Sequence, residues 1–216
     1  YLFFVTRNGV VKKTAFNAYD SSRSDGLIAI GLRDGDELVK VLPTSGDDDL
    51  LIVTRRGQGI RFSEDDVRPM GRQASGVRGI KLRNTDEVVG ADAVTGDGAV
   101  LLSITDQGFG TRTQVSNFTV QGRGGQGVRA HRLPEARGEL LSGFLVEDGD
   151  EVLLITDSGV VIRTSVADIS VQGRDATGVR VMDPGTESRV AAIARVLGDT
   201  AAAQGSEGDA GGQPGD

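Results

Sequence analysis

The chain matches itself at a period of about fifty residues, and that period restricts it to a repeat architecture. One anchor is a Thr-x-x-Gly turn: Thr6-Arg7-Asn8-Gly9, Thr54-Arg55-Arg56-Gly57, Thr105-Asp106-Gln107-Gly108 and Thr156-Asp157-Ser158-Gly159. Its glycines stand 48, 51 and 51 residues apart. A second anchor is a glycine at positions 26, 76, 127 and 178, followed by Val-Arg in the last three copies and spaced 50, 51 and 51. Two separate anchors with one period divide the chain into repeats of about 1–46, 47–97, 98–148 and 149–197.

Each repeat reads as four short strands. The first is a continuous apolar run ending at the Thr-x-x-Gly turn (2–6, 50–54, 100–105, 152–156), the pattern of a strand buried on both faces. The second follows the turn directly (10–14, 59–62, 109–113, 160–164), so the pair forms a hairpin. A polar connection leads to the second glycine and a third strand (27–32, 77–82, 128–133, 179–182). The fourth follows an acidic turn (37–42, 87–94, 140–146, 189–196). Amphipathic helical periodicity is scarce; residues 64–67 and 166–169 read as single helical turns. Four strands per fifty residues, repeated, predict an all-β fold of about four blades set round an axis, as in a propeller.

Glycine makes up 32 of 216 residues, about twice the usual share, and its periodic placement fits turns rather than disorder. Aromatics are only 4%, so the core is built from Val, Ile, Leu and Ala. Cysteine is absent, which excludes disulfides and thiolate sites and fits a reducing cytoplasm. No apolar run approaches the ~18 residues of a membrane helix. The chain opens on Tyr1 already inside a strand pattern, which reads as a piece of a longer protein. Residues 198–216 hold four acids, no base and almost no apolar bulk, the composition of a disordered acidic tail. Such a tail either competes with a polyanion for basic surface or is merely solvated. His131 is the only histidine, and no paired carboxylates, nucleophile elbow or metal-ligand spacing stands out. Catalysis by these residues alone is not expected, and no metal site or cofactor is expected in them.

Net charge is −7, yet the basic residues are distributed in step with the repeats. Four positions after the turn glycine stand Lys13, Arg61, Arg112 and Arg163. Four before the second glycine stand Arg72, Arg123 and Arg174, and two after it Arg78, Arg129 and Arg180. The first repeat departs, with Ser22 and Ile28. Ten cations at equivalent places would form rows on the assembled protein. The competing reading is that they pair with carboxylates within each repeat; acids do not recur in step beside them, which favours the rows. Many acids sit instead in loops, as at Asp47-Asp48-Asp49 and Glu147-Asp148. Segregation of this kind allows a positive rim on an acidic body.

Around the third of the second-anchor glycines the chain reads Gln121-Gly122-Arg123-Gly124-Gly125-Gln126-Gly127-Val128-Arg129. Four glycines in nine residues permit tight turning and close backbone approach. Successive N–H groups in such a loop can make an anion-binding nest, with the arginines adding charge. The Gly-Lys-Ser/Thr ending of a nucleotide-binding loop is missing.

Set in fifty-residue all-β repeats with Gly-Arg-x-x-x-Gly-Val-Arg, this loop resembles the gyrase A box, pattern Gln-Arg-Arg-Gly-Gly-Lys-Gly, of the C-terminal domain of the DNA gyrase A subunit. Gln121, Arg123, Gly124, Gly125 and Gly127 agree with the pattern; Gly122 and Gln126 replace an Arg and a Lys. Its place in the third repeat is similar to the accessory copies of actinobacterial gyrases, with the principal box expected upstream of Tyr1. The resemblance implies a β-pinwheel, a propeller relative whose blades exchange strands with their neighbours. It implies wrapping of double-stranded DNA through Lys13, Arg61, Arg72, Arg78, Arg112, the loop 121–127, Arg129, Arg163, Arg174 and Arg180. It further implies a cytoplasmic, nucleoid-associated ATP-dependent type II topoisomerase of two A and two B subunits, with ATP and Mg2+ held by other domains. The homologous domain of topoisomerase IV, which decatenates, and a propeller serving as a protein-interaction platform are the alternative readings.

Overall fold

The computed structural model describes residues 1–21, 25–94, 96 and 98–198. Ser22, Arg23 and Ser24 lie outside the described residues, as does the expected acidic tail apart from Gly198. Among the described residues fifteen strands, β1 to β15, are joined by turns and five single-turn 3-10 helices. Two of those turns, Glu64–Asp66 and Val166–Asp168, fall where helical turns were expected.

The hairpins form for a local reason that recurs in every repeat. They are β1 (Leu2–Thr6) with β2 (Val10–Thr14), β4 (Asp49–Thr54) with β5 (Gln58–Ser63), β8 (Val100–Thr105) with β9 (Phe109–Gln114), and β12 (Glu151–Thr156) with β13 (Val161–Ser165). At each turn the glycine N–H donates to the Thr carbonyl, as from Gly57 to Thr54 at 2.9 Å. The next residue's N–H donates to the Thr hydroxyl, 3.0 to 3.2 Å away in all four copies. The glycines sit at φ between 77° and 86°, a conformation that disfavours any side chain. Thr6 and Thr54 also donate to the buried carboxylates of Asp36 and Asp86, each at 2.7 Å.

The innermost strands are β3 (Leu38–Pro43), β7 (Val88–Val94), β11 (Leu140–Val146) and β15 (Val190–Val196). Each pairs with the first strand of its own repeat, and β7 packs beside both β3 and β11. The expected third strands are reduced to two residues each: β6 (Val77–Arg78), β10 (Val128–Arg129) and β14 (Val179–Arg180). They do not join their own repeats. β6 pairs with β2, β10 with β5 and β14 with β9, so each repeat completes the sheet before it. This is the strand exchange of a pinwheel. The first three sheets therefore hold four strands, and the fourth holds three, β13-β12-β15, among the described residues. With no strand on the outer edge of β13 among the described residues, Val160 and Val161 remain more than half exposed. Residues 27–32 contain no strand, and Ile28 is exposed.

Three apolar clusters lie between successive sheets rather than inside each one. Phe3, Phe62 and Ile80 belong to the first, Val53, Val115 and Phe118 to the second, and Ile104, Val166 and Met182 to the third. Burial of this kind binds blade to blade.

Candidate nucleic-acid interface

The Gly loops are held at the outer edge by hydrogen bonds repeated from blade to blade. Met70, Gln121 and Gln172 donate their N–H groups to the carbonyls of Lys13, Arg61 and Arg112 in the preceding repeat, at 2.8, 2.9 and 2.8 Å. Five residues after each second-anchor glycine, the N–H of Gly31, Lys81 and Arg132 donates to the following loop at Ala74, Gly125 and Ala176, at 3.2, 2.8 and 2.9 Å. Among the described residues, successive repeats are thus fastened loop to loop in one geometry.

The row Arg72, Arg123 and Arg174 takes part in this fastening. Their Nη1 atoms donate to the carbonyls of Ile28, Arg78 and Arg129, at 3.2, 3.0 and 3.0 Å. These acceptors are equivalent positions of the preceding repeats. Arg123 makes a second bond, from Nε to the Asp66 carbonyl at 2.7 Å. The row Arg78, Arg129 and Arg180 lies alongside and is exposed. Arg129 pairs with Asp175 at 2.6 Å and Arg180 with Asp183 at 3.1 Å. The Arg180 guanidinium also lies over the Phe109 ring.

Within the loop 121–127 the backbone is less available to an anion than the glycines imply. Gln121 N–H goes to Arg61, Gly124 N–H to the Gly79 carbonyl at 2.6 Å, and Arg123 N–H to the Asp66 carboxylate at 3.1 Å. These three amides are committed to the preceding blade, so side chains rather than a backbone nest supply the positive charge. Gly127 is required at φ 71°, where a Cβ would collide with the Gly59 carbonyl; Gly122 faces open space. The Gln126 amide oxygen accepts from the Arg83 guanidinium.

The remaining row departs from the arrangement expected of it. Lys13 is buried, with Nζ 3.2 Å from Glu64 and 4.5 Å above the Tyr1 ring. Arg61 is mostly enclosed against Asp49 at 2.8 Å. Arg112 is buried against Asp148 and the carbonyls of Ile169 and Ala167. Only Arg163 is well exposed, on the edge strand β13 and paired with Glu151. Lys13, Arg61 and Arg112 reach across to the next blade and brace it, whereas Arg163 is bonded within its own hairpin. Carboxylates do recur with them: Asp49 and Glu151 each stand eight residues before the turn glycine, and Tyr1 occupies that place in the first repeat.

Sequence reasoning passed over three exposed cations beside the rows: Lys81, Arg83 and Arg132. Lys81 and Arg132 share one position of the repeat, but Gly31 and Asp183 hold it elsewhere. A search for positions basic in most repeats misses them; the loop-to-loop hydrogen bonds reveal them. His131 is buried, its Nδ1 2.9 Å from the Ser103 hydroxyl, and burial holds its imidazole below the usual histidine range.

Among known proteins, the family model for the DNA gyrase C-terminal domain, beta-propeller, matches residues 1–45, 48–95, 99–147 and 150–196. The DNA gyrase A subunit of Streptomyces coelicolor is 45% identical over 202 residues, which cover 90% of this chain and 24% of that protein. The DNA gyrase A subunit of Salmonella typhimurium is 41% identical over 195 residues, 90% of this chain and 22% of that one. The chain thus spans about a quarter of the length of these relatives. A crystal structure of the C-terminal domain of DNA topoisomerase IV superposes with a TM-score of 0.88 at 28% identity, covering 96% of this chain and 67% of the other. A structure of the DNA gyrase A C-terminal domain superposes at 0.79 with 25% identity, covering 91% and 66%. The family model fits all four repeats with boundaries close to those set by the paired anchors, and the chain belongs to the DNA gyrase C-terminal domain, beta-propeller family.

Proposed function

We propose that the chain binds double-stranded DNA without sequence preference and bends it along the outer rows, as the DNA-wrapping part of a DNA gyrase A subunit. One observation carries the reading: the same loop-to-loop hydrogen bond, made three times, fastens successive blades in one geometry, which supports a single track of arginines. Arg72, Arg78, Lys81, Arg83, Arg123, Arg129, Arg132, Arg174 and Arg180 line it. Gln121, Gly122, Gly124, Gly125, Gln126 and Gly127 set the spacing of its central loop. Lys13, Arg61 and Arg112 act indirectly, by holding the blades that carry the track, and the exposed Arg163 stands at its far end.

The physics of wrapping suits such a surface. Bending 20–30 base pairs by 40–90° costs about 1–6 kcal/mol. Many phosphate contacts along an arc repay it, and no base-reading element is needed. Contact with ~6–10 phosphates makes affinity fall ~10³–10⁵-fold between 50 and 200 mM salt. Fluorescence anisotropy with a duplex of about 40 base pairs tests this. Arg123→Ala and Arg129→Ala are expected to weaken binding and flatten the salt slope. Unchanged binding in both would favour a protein-interaction platform instead.

In the assembled enzyme the chain would work with the rest of its own polypeptide and with B subunits, in a cytoplasmic ATP-dependent topoisomerase of two A and two B subunits. ATP and Mg2+ would be held by other domains. The described residues contain no group of three or more His, Cys, Asp or Glu side chains suited to a metal ion. The close superposition on a topoisomerase IV domain keeps a decatenating parent as the second reading; a supercoiling assay on the intact enzyme separates the two.

A further inference from the structure

The contacts between blades place equivalent cations at two successive seams with a carboxylate beside each: Asp66, which accepts from the Arg123 backbone N–H at 3.1 Å, at the first, and Asp175, paired with a guanidinium, at the second. At the seam of the second and third repeats, Arg78, Lys81 and Arg123 come together, the Arg123 guanidinium resting on the Arg78 carbonyl. At the seam of the third and fourth, Arg129, Arg132 and Arg174 take the equivalent places, with Arg174 on the Arg129 carbonyl. The residue after the latching arginine differs. It is Gly124 at the first of these seams and Asp175 at the second.

Asp175 is paired with one arginine of its seam, Arg129, and stands next in sequence to another, Arg174. Its Oδ1 accepts from Arg129 Nη1 at 2.6 Å, with both side chains more than half exposed. That bond is the main cause that holds its carboxyl below the usual aspartate range, and Arg132 and Arg174 add to it. Arg129, Arg174, Asp175, Gly173 and Asn117 line a shallow surface cleft at this point. A carboxylate bonded to one guanidinium, in a cleft lined by a second, stands where a phosphate would find the same donors.

We propose that Arg129, Arg132 and Arg174 form a seat for a phosphate of the duplex backbone and that Asp175 is its built-in competitor. The inference rests on the DNA-binding reading above. At the Arg78–Lys81–Arg123 seat the nearby carboxylate, Asp66, is bonded to a backbone amide rather than to a guanidinium, so that seat grips the duplex constantly. The Arg129–Arg132–Arg174 seat takes a phosphate only when Asp175 swings aside, so the track has a tight section followed by a loose one.

The test is duplex binding by anisotropy across a salt series for the chain and three variants. Asp175→Asn is expected to bind about fivefold more tightly near 100 mM salt, the scale of one exposed charge pair. Its plot of log affinity against log salt steepens by about 0.9, the signature of one more phosphate contact. Asp47→Asn makes the same change in net charge in an exposed loop away from the track, and is expected to leave the slope unchanged. Arg129→Ala combined with Asp175→Asn is expected to lose the gain. Equal behaviour of Asp175→Asn and Asp47→Asn, or a gain that survives in the double variant, overturns the competitor. Failure of the unaltered chain and every variant to bind duplex overturns the DNA-binding reading itself, and this inference with it.

Discussion

Replacing Lys13 by Met separates a bracing role from a DNA-contacting one. The Lys13 ammonium lies 3.2 Å from Glu64 Oε2, and both side chains are almost wholly enclosed. Removing one partner of a buried pair costs ~3–5 kcal/mol, because the other charge stays behind unpaired. Glu64 would keep bonds from the Thr44 hydroxyl at 2.8 Å and from the Gly46 and Asp48 N–H groups at 2.7 and 3.0 Å. That support puts the loss near the lower bound, about 3 kcal/mol. For a chain of this size each kcal/mol lowers Tm by ~2–4 °C, so calorimetry should record a fall of about 6–12 °C. Duplex affinity below the transition should stay within about twofold, since an enclosed ammonium gives a phosphate little. Glu64→Gln in the same chain should restore much of the loss: Gln keeps the acceptor for Gly46 and Asp48, and Thr44 can turn to accept from its amide.

Acid provides a cross-check on the same pair. Burial alone would raise the Glu64 carboxyl, but the bonds from Asp48, Thr44, Gly46 and Lys13 outweigh it and hold it below the usual range. A depressed carboxyl contributes stability above its unfolded value, about 4.3, and that contribution is lost as pH falls through the folded value. The penalty of Lys13→Met should therefore shrink in strong acid. A Tm within 2 °C of the unaltered chain, or tenfold weaker duplex binding by a fully folded Lys13→Met chain, would refute the bracing role and return the inner row to the DNA surface.

Three further outcomes follow from single contacts. Lys12 is fully buried, with Nζ 2.5 Å from the carbonyls of Ala29 and Arg72, and burial together with the Arg72 charge lowers its pKa to about 8. Between there and the ordinary lysine value of about 10.4 the unfolded chain binds the extra proton, so Lys12 adds stability as pH rises; urea midpoints at pH 7.5 and 9.5 should show a rise that Lys12→Met abolishes. Gly57→Ala forces a side chain onto φ 78° and into the His131 carbonyl, which should cost at least about 1–2 kcal/mol in a denaturant titration. Thr54→Val leaves Asp86 and the Gln58 N–H each short of a partner at a buried turn, and should cost about 1–3 kcal/mol by the same measurement.

The elements written in local pattern were legible in the sequence. The Thr-x-x-Gly hairpins were, because the threonine hydroxyl and carbonyl and the glycine φ make each turn within five residues. The four-fold repeat was, because the glycines mark it twice. The short outer strands were not. Val77 pairs with Val11 and Val128 with Gly59, each across more than one whole repeat, and nothing in periodicity tells which sheet a strand completes. The inner basic row misled for a related reason. Its partners come from different places: Asp49 and Glu151 from the first strand of the same repeat, Asp148 from the loop before β12, and Glu64 from the next repeat. Glu64 stands where Val115 and Val166 stand in the later repeats, so its pairing with Lys13 is peculiar to one seam. Equal spacing along a chain fixed where cations recur and left open which way they point.

A duplex bent along the proposed track would push outward, and that recoil would fall on the loops it touched. Each of β6, β10 and β14 is covalently part of one repeat and hydrogen-bonded into the sheet of another. A pull on any of these loops is therefore shared by two blades at once. Levering one blade open means tearing its neighbour's border as well, so the scaffold resists as a linked belt while the duplex strains to straighten.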